Sequence, residues 1–336
     1  MTTSRSPATI YEVARRAGVS IATVSRALKG SARVTEATRS RVLAAAEELQ
    51  FRPSPLARSL AEGRHAANGI VFPDLSGPYY AEVVLGYEEV AAELGNSVLI
   101  LATHGRTDPA GTVRDLARRV DGMVIMGRTV PDQVVRQVAQ SGVPLVLLAR
   151  GALEGLDTIN AENEASARAL VDHLLGHGYD SFAFLGDPAQ SPDVAGRYLG
   201  FCQALAGAGL TPPKAPVRCA FDVGAGRRAA RSVLARSRRP RALVCANDEV
   251  ALGALRAAEE LGLAVPGHVA VTGWDDIMAA AYARLTTVRQ PMRELGATAA
   301  RWLEERVTGG RTAVRRQVLP TRVVLRATCG SHDGET

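Results

Sequence analysis

Residues 9–30, TIYEVARRAGVSIATVSRALKG, predict two short helices joined by a tight turn. Thr9 and Glu12 have the spacing of a capping box, in which each side chain accepts a hydrogen bond from the other residue's backbone, so a helix can begin here. Gly18 ends this helix because glycine tolerates a positive φ, and Ser20 is placed to cap a second one. The stretch therefore predicts a helix-turn-helix.

The second predicted helix has a divided surface. Val24, Ala27 and Leu28 recur at helical spacing and are expected to face a core. The residues left on or near the outer side are Ile21, Ala22, Thr23, Ser25 and Arg26. Short side chains with one arginine suit the DNA major groove, although an ordinary helical hairpin has the same local pattern.

Charge favours the DNA interpretation. Residues 1–64 contain eleven Lys and Arg against five acidic residues, whereas the remainder contains 29 of each. The basic excess is thus confined to the first fifth of the chain, as expected if this part meets phosphates and the rest is a neutral globular body.

Composition excludes several other classes of protein. The 336 residues contain no apolar run of about 18 residues, and the N-terminal MTTSRSPA lacks a hydrophobic signal segment. The four cysteines form no C-x-x-C pair and the six histidines are scattered, so we expect no metal site or cofactor. No G-x-x-x-x-G-K-[ST], G-x-S-x-G or H-E-x-x-H motif supports an enzyme. The expectation is a cytoplasmic protein, without catalytic residues, that is associated with the nucleoid when bound to DNA.

A third helix and a linker are expected to follow. Thr35 can cap a helix with Val42, Leu43, Ala46 and Leu49 on one side, which would complete a three-helix head. The prolines of FRPSPLARSLAEGR (51–64) then interrupt the helical pattern. Ser54 can cap a short helix over 56–61, so this segment is either a plain linker or a helix that forms only when bound.

From Ala66 onward, apolar runs alternate with amphipathic stretches. The predicted strands are 70–72, 98–102, 122–126, 145–148, 182–185, 242–245 and 269–272. The predicted helices are 81–94, 110–119, 132–141, 164–175, 195–206, 225–236, 249–261 and 293–307. This pattern predicts an α/β body of two doubly wound halves with parallel sheets, in which ligands bind beyond the carboxyl ends of the strands.

With head and body in view, the chain resembles the lac repressor/galactose repressor family of bacterial transcription regulators. The segments that carry the resemblance are residues 9–30, FRPSPLARSL, PDLSGPYYAEVVLGYEE, VAGRYLGF, CANDEVALGAL, GWDD and LTTVRQP. The family resemblance implies a helix-turn-helix domain over 1–52, a hinge over 53–64, and a periplasmic-binding-protein-like body of two Rossmann-like subdomains over 65–336. The first subdomain is expected at about 65–161 and 289–318, and the second at about 162–288 and 319–330.

The resemblance also implies how DNA is bound. Residues 20–28 would be the recognition helix, with Arg26 able to bond guanine and with Ile21 and Ala22 limited to apolar contacts. Phosphate contacts are expected from Thr9, Tyr11, Ser20, Thr23, Ser25 and Arg39. In the hinge, Ser54, Arg58 and Leu60 are expected to contact DNA, with Leu60 wedged into a minor-groove base step.

In the body, the resemblance implies an effector in the cleft between the subdomains. The expected contacts are Tyr79, Tyr80, Arg128, Asp193, Arg197, Phe221, Asn247 and Asp275. Forked donors, carboxylates and aromatic faces suit a polyol, so a sugar or sugar derivative is the expected effector. Because Arg128 and Arg150 are expected near the cleft, a phosphorylated or acidic sugar remains an alternative effector. Ser191 and Asp193 depart from the pattern of the purine-sensing branch.

These features predict a homodimeric repressor of a carbohydrate operon that binds a palindromic operator, because each head covers one half-site. The alternative is a family member controlled by a purine or by a protein partner.

Overall fold

The computed structural model describes residues 8–28, 33–51 and 65–331. The chain divides into two compact units, a head that ends at Ala66 and a body that begins at Ala67. None of the helices in the described ranges combines the length and apolar character that a membrane span requires.

The head contains the three predicted helices, α1 (Ile10–Ala17), α2 (Ile21–Leu28) and α3 (Glu36–Glu48). Each contributes a fully buried valine to the core: Val13, Val24 and Val42. A shared apolar core holds these helices together, because none of them is long enough to be stable alone.

The turn between α1 and α2 forms as its residues predict. The Glu12 amide donates to the Thr9 hydroxyl at 3.4 Å, while the Thr9 amide donates to the Glu12 carboxylate at 2.7 Å. Gly18 closes α1 with φ at 65°. The Thr23 amide then donates to Ser20 Oγ at 3.2 Å and starts α2. The capping box and the glycine turn are confirmed.

Two details of the α3 prediction are wrong. Thr35 occupies the N-cap position, but its hydroxyl donates to the Thr38 hydroxyl at 3.0 Å instead of accepting from the helix backbone. Leu43 is 48% exposed, and Ala45 is buried in its place. The buried stripe of α3 therefore runs through Val42, Ala45 and Ala46.

The first part of the body, here called the N half, is built on a six-stranded parallel sheet. Its strands lie in the order β10-β5-β4-β3-β1-β2. They are β1 (Ala67–Phe72), β2 (Ser97–Ala102), β3 (Gly122–Met126), β4 (Leu145–Leu148), β5 (Asp157–Ala161) and β10 (Arg316–Leu319). One face is covered by α4 (Pro78–Glu93) and α12 (Met292–Val307), the other by α5 (Pro109–Ala117) and α6 (Asp132–Gln140).

The second part, the C half, has a three-stranded parallel sheet in the order β6-β7-β8. These strands are β6 (Phe182–Leu185), β7 (Ala242–Cys245) and β8 (Ala270–Thr272). One face packs on α7 (Glu164–Gly176) and α8 (Pro192–Gly207), the other on α9 (Val223–Leu234), α10 (Asp248–Glu260) and the short α11 (Met278–Tyr282). An antiparallel pair, β9 (Thr287–Arg289) and β11 (Arg322–Val324), lies beside them.

The chain passes between the two halves three times, after β5, after β9 and after β10. Because both sheets are parallel and covered on both faces, each half is doubly wound, which confirms the predicted fold class.

Close helix packing fixes α4 in the N half. A Cβ added at Gly86 would lie 2.0 Å from the Arg293 carbonyl oxygen, and one at Gly296 would lie 2.0 Å from the Val83 carbonyl oxygen. Only glycine allows α4 and α12 to approach this closely. The N-terminus of α4, which carries Tyr79 and Tyr80, is positioned by this contact.

Candidate functional site

The outer face of α2 presents the residues that the sequence predicts to read bases. Ile21 is 39% exposed, and Ala22 and Arg26 are also exposed. The Arg26 guanidinium has no hydrogen-bond or ion-pair partner among the described residues of the head. It is therefore available for the two parallel hydrogen bonds that arginine donates to guanine O6 and N7.

The predicted phosphate-contacting residues lie in different local environments. Tyr11 is 69% exposed, whereas Ser20 and Thr23 bond each other through their hydroxyls at 2.9 Å. Ser25 is half-buried in α2, and Arg39 lies 3.5 Å from the Glu36 carboxylate. Ser20, Thr23 and Arg39 therefore already have partners within the head.

At Thr9, the Glu12 carboxylate occupies the position near the helix N-terminus where a phosphate would bind. Its hydrogen bonds with the Thr9 amide and hydroxyl lower the pKa of Glu12. A phosphate contact at Thr9 would compete with this carboxylate. The predicted hinge contacts Ser54, Arg58 and Leu60 lie outside the described residues.

In the body, a cavity of about 770 Å³ is lined by residues of both halves. All eight predicted effector residues line it: Tyr79, Tyr80, Arg128, Asp193, Arg197, Phe221, Asn247 and Asp275. They come from the loops and helix starts at the carboxyl ends of the strands, where open α/β sheets place their ligands.

Arg197 is the buried cation of this cavity. It projects from the first turns of α8, donates through Nε to Asn163 Oδ1 at 2.8 Å and through Nη1 to the Ala246 carbonyl at 2.6 Å. Its guanidinium also stacks on Trp274, 4.5 Å from the ring centroid. These contacts fix its plane and leave Nη2 without a protein partner among the described residues.

Asp275 lies in the loop after β8 and has φ at 118°, in the left-handed region that Asp adopts more readily than most residues. The neighbouring loop residue Ile277 is held by buried Asp248, whose carboxylate accepts from the Ile277 amide at 2.9 Å and the Thr287 hydroxyl at 2.6 Å. Asp248 thus positions the loop that presents Asp275.

Burial raises the pKa of Asp275 to about 6, against the opposing charge of Arg197 and the hydrogen bond from Gln290. Burial also raises the pKa of Asp193, again opposed by Arg197. Two carboxylates therefore share one buried cation. Their raised pKa values show that the guanidinium does not fully compensate their desolvation.

Aromatic rings form the apolar part of the wall. Tyr79 and Tyr80 meet edge to face at 5.4 Å between ring centroids. Burial and the carboxylates of Asp193 and Asp275 raise the pKa of Tyr79, so its phenol stays a neutral donor. From the opposite half, Phe221 packs under the Arg128 guanidinium, whose carbon lies 4.8 Å from the ring centroid.

Asn247 lines the cavity, but its amide is largely used by the protein. Its Oδ1 accepts from the Val250 amide at 3.0 Å and caps α10, and its Nδ2 donates to the Phe221 carbonyl at 3.2 Å. Asn247 therefore positions Phe221, with one N–H and one lone pair left for a ligand.

Arg150 does not line the cavity, contrary to the expectation that it lies near bound effector. Its side chain is buried and ion-paired with Asp132, and it also donates to the Val130 carbonyl at 2.7 Å. The left-handed backbone at Ala149, with φ at 49°, precedes this buried arginine.

The lining also contains residues that the sequence analysis did not assign to the effector, among them Asp74, Asp222, Glu249 and Gln290. Asp74 and Glu249 lie within the polar strand ends that the sequence marks, but nothing in the pattern separates them from ordinary caps. Asp222 does cap α9, accepting from the Ala225 amide at 2.8 Å.

Comparison with known proteins agrees with both parts of this description. Residues 9–54 match the profile "Bacterial regulatory proteins, lacI family", and residues 171–329 match "Periplasmic binding protein-like domain". Catabolite control protein A of Priestia megaterium is 32% identical over 307 residues, covering 88% of this chain and 91% of the relative.

Solved structures of related regulators are also similar. A lac repressor dimer bound to operator and the anti-inducer ONPF has 29% identity and a TM-score of 0.85, over 97% of this chain and 100% of that one. A complex of the transcriptional regulator CelR with cellobiose has 28% identity and a TM-score of 0.73, over 96% and 99%.

These relatives are transcription regulators rather than enzymes, which confirms the expectation from the missing catalytic motifs. The recognition-helix surface, the two-half body and the whole-length similarity lead to one conclusion: the chain is a DNA-binding transcriptional repressor that belongs to the lacI family.

Proposed function

We propose that this repressor binds a palindromic operator as a homodimer and is controlled by a sugar-like effector in the body cavity, as part of a carbohydrate-utilisation system. The observation that carries the proposal is the cavity itself. It combines a stacked arginine, buried carboxylates and aromatic rings from both halves, the set of groups that binds a polyol. A related regulator was solved with cellobiose.

DNA reading is assigned to the head, residues 1–52, with the hinge at 53–64 and effector binding at 65–336. Arg26 supplies the strongest base contact, because its free guanidinium can bond guanine in two places. Ile21 and Ala22 offer only apolar contacts, and the hydroxyl residues around α1 and α2 fix the register on the phosphates. Because a repressor acts on the chromosome, we expect this protein in the cytoplasm and at the nucleoid when it is bound to DNA.

An exposed apolar surface on the C half supports a dimer. Tyr282 and Met278 of α11 are 81% and 77% exposed. Beside α11, Ala283 joins Leu252 and Leu255 of α10 in a mainly apolar groove, whose lining also includes Arg256 and Glu259. Large exposed apolar patches usually mark interfaces, and the related lac repressor was solved as a dimer on its operator.

Effector control follows from the two-half construction. The cavity walls belong to different halves, so a ligand that bridges them favours one angle between the halves. A change in that angle would alter the separation of the two hinges in a dimer and so the affinity for DNA. This coupling requires different effector affinity in the two conformations.

Selection of operator sequences with the purified chain, followed by mobility shifts with and without sugars, tests the proposal. We expect a palindromic site and a shift in affinity with one group of carbohydrates. Binding to a non-palindromic site would contradict the dimeric operator model. A response to a nucleobase or to an added protein, with none to carbohydrates, would show that a purine or a protein partner controls the repressor instead of a sugar.

A further inference from the structure

The charges around the cavity are unbalanced. Its lining contains five carboxylates, from Asp74, Asp193, Asp222, Glu249 and Asp275. The arginines in the same lining are Arg128 and Arg197. An anionic effector entering this space would meet a net negative field.

Both arginines also make contacts within the protein. Arg197 is held by Asn163 and the Ala246 carbonyl and lies near the carboxylates of Asp193 and Asp275. Arg128 covers the Phe221 ring at 4.8 Å. Donors remain on both arginines, but two cations do not balance the five carboxylates of the lining.

Glu249 is the acid whose surroundings point to a ligand. Its carboxylate has no hydrogen-bond or ion-pair partner among the described residues of the body. The carboxylate extends from α10 of the C half to Gly77 of the N half. A Cβ added at Gly77 would lie 2.9 Å from Glu249 Oε2. Gly77 is the N-cap of α4. Glu249 therefore brings a carboxylate from the C half to the N half of the cavity.

An independent observation shows an excess of acceptors. Gln290 is 4% exposed and lines the cavity; its Nε2 donates to Asp275 Oδ1 at 2.6 Å. Its buried Oε1 has no hydrogen-bond partner within the described part of the chain. An unpaired buried acceptor is costly, so a bound molecule that donates a hydrogen bond to it, after the amide turns toward the cavity, would be stabilised. Phosphate oxygens at neutral pH mainly accept and cannot satisfy it.

From this arrangement we infer that the effector is an amino-bearing sugar whose ammonium group pairs with Glu249, and that phosphorylated sugars are excluded. The inference rests on the proposed sugar-responsive function and specifies its ligand. Ammonium and hydroxyl groups supply the donors that Glu249 and Gln290 lack, and the positive charge reduces the repulsion among the lining acids.

Proton release provides a second signature. Burial and the charges of Asp275, Asp222 and Asp74 raise the pKa of Glu249 to about 7. A bound ammonium would lower that pKa, so part of the Glu249 population would lose a proton on binding near pH 7. A neutral sugar at the same site would not cause this release.

Isothermal titration calorimetry of the full chain tests the inference with three matched triplets. The probes are glucose, galactose and mannose, each with its 2-amino and its 6-phosphate form. We expect the amino form of at least one triplet to bind about tenfold more tightly than its parent, as for a close charge pair, with no binding of the phosphate form. Titration in buffers of different ionisation enthalpy should show proton release for the amino form alone.

Glu249→Gln should remove the amino preference and the proton release while the parent sugar still binds. Glu154→Gln is the matched control, because Glu154 is exposed and lies outside the cavity. Tightest binding of a phosphate form, or equal binding of amino and parent forms, would overturn the inference and leave the sugar function intact. Binding of none of the nine probes would count against the sugar function itself, and the inference would fall with it.

Discussion

Replacing Asp275 by Asn should stabilise the body at neutral pH while weakening effector binding. Moving a carboxyl pKa from its ordinary 3.8 to about 6 corresponds to about 3 kcal/mol of lost folding free energy when the group is ionised. The substitution removes the charge but keeps an oxygen that accepts from Gln290 Nε2. Asn also tolerates the left-handed backbone at this position.

The pH dependence follows from which state binds the proton more tightly. The folded pKa of Asp275 is raised, so between pH 3.8 and about 6 the unfolded chain has released the proton that the folded chain still holds. Folding stability therefore falls as pH rises through this window. The gain in unfolding free energy from Asp275→Asn should be absent below pH 3.8, grow between pH 3.8 and about 6, and reach its full size above about pH 6.

Urea denaturation of the body, followed at pH 4 and pH 7.5, measures this difference. Asp276→Asn is the matched control, because it makes the same change one residue away in a carboxylate that pairs with Arg289 and Arg326. That variant should be destabilised at pH 7.5, since it weakens the ion pairs of a buried carboxylate. A loss of stability in Asp275→Asn at pH 7.5, or a gain of equal size at pH 4, would refute the reasoning.

Four further outcomes are expected. Arg26→Ala should reduce the preference for one base in each half-site by about 10- to 100-fold in competition mobility shifts, with little change on random DNA. Leu60→Ala should reduce the operator bend seen in circular-permutation mobility shifts. Tyr282→Asp should give monomers in sedimentation velocity, because the substitution places a charge in the proposed interface. Gly296→Ala should lower the stability of the body by about 1–3 kcal/mol in urea denaturation, because the added methyl group collides with the Val83 carbonyl.

The strands that the sequence predicts are the continuously apolar ones, such as Gly122–Met126 and Leu145–Leu148, whose bounds are confirmed. The strand Asp157–Ala161 was missed because it begins with a charged residue. Asp157 is fully buried there, paired with Arg306 and Arg311. The cations that allow its burial lie about 150 residues further along the chain, and local periodicity cannot detect such a partnership.

The same limit applies to the cavity. The sequence marks Arg197 and Asp275 through their position at strand ends and through the family resemblance, and both line it. It gives no sign that Arg150 turns away to Asp132, since both orientations fit an arginine after a strand. Nor does it identify Glu249, whose significance comes from its approach to Gly77 in the other half of the body. Contacts between the halves join residues that are far apart in the sequence, so local sequence patterns cannot predict them.

The cost of the cavity acids gives a physical basis for effector control. Burial raises the pKa values of Asp193, Asp275 and Glu249, and the charges of neighbouring acids add to this effect at Asp275 and Glu249. A conformation that brings the Glu249 carboxylate against the N half at Gly77 is therefore less favourable without a ligand. In the proposed mechanism, a bound donor-rich molecule would remove part of that penalty in this conformation and not in one where the halves are further apart. Because the penalty differs between the two conformations, the effector would bind one of them more tightly. A ligand can shift a repressor between two conformations only if it binds them with different affinity.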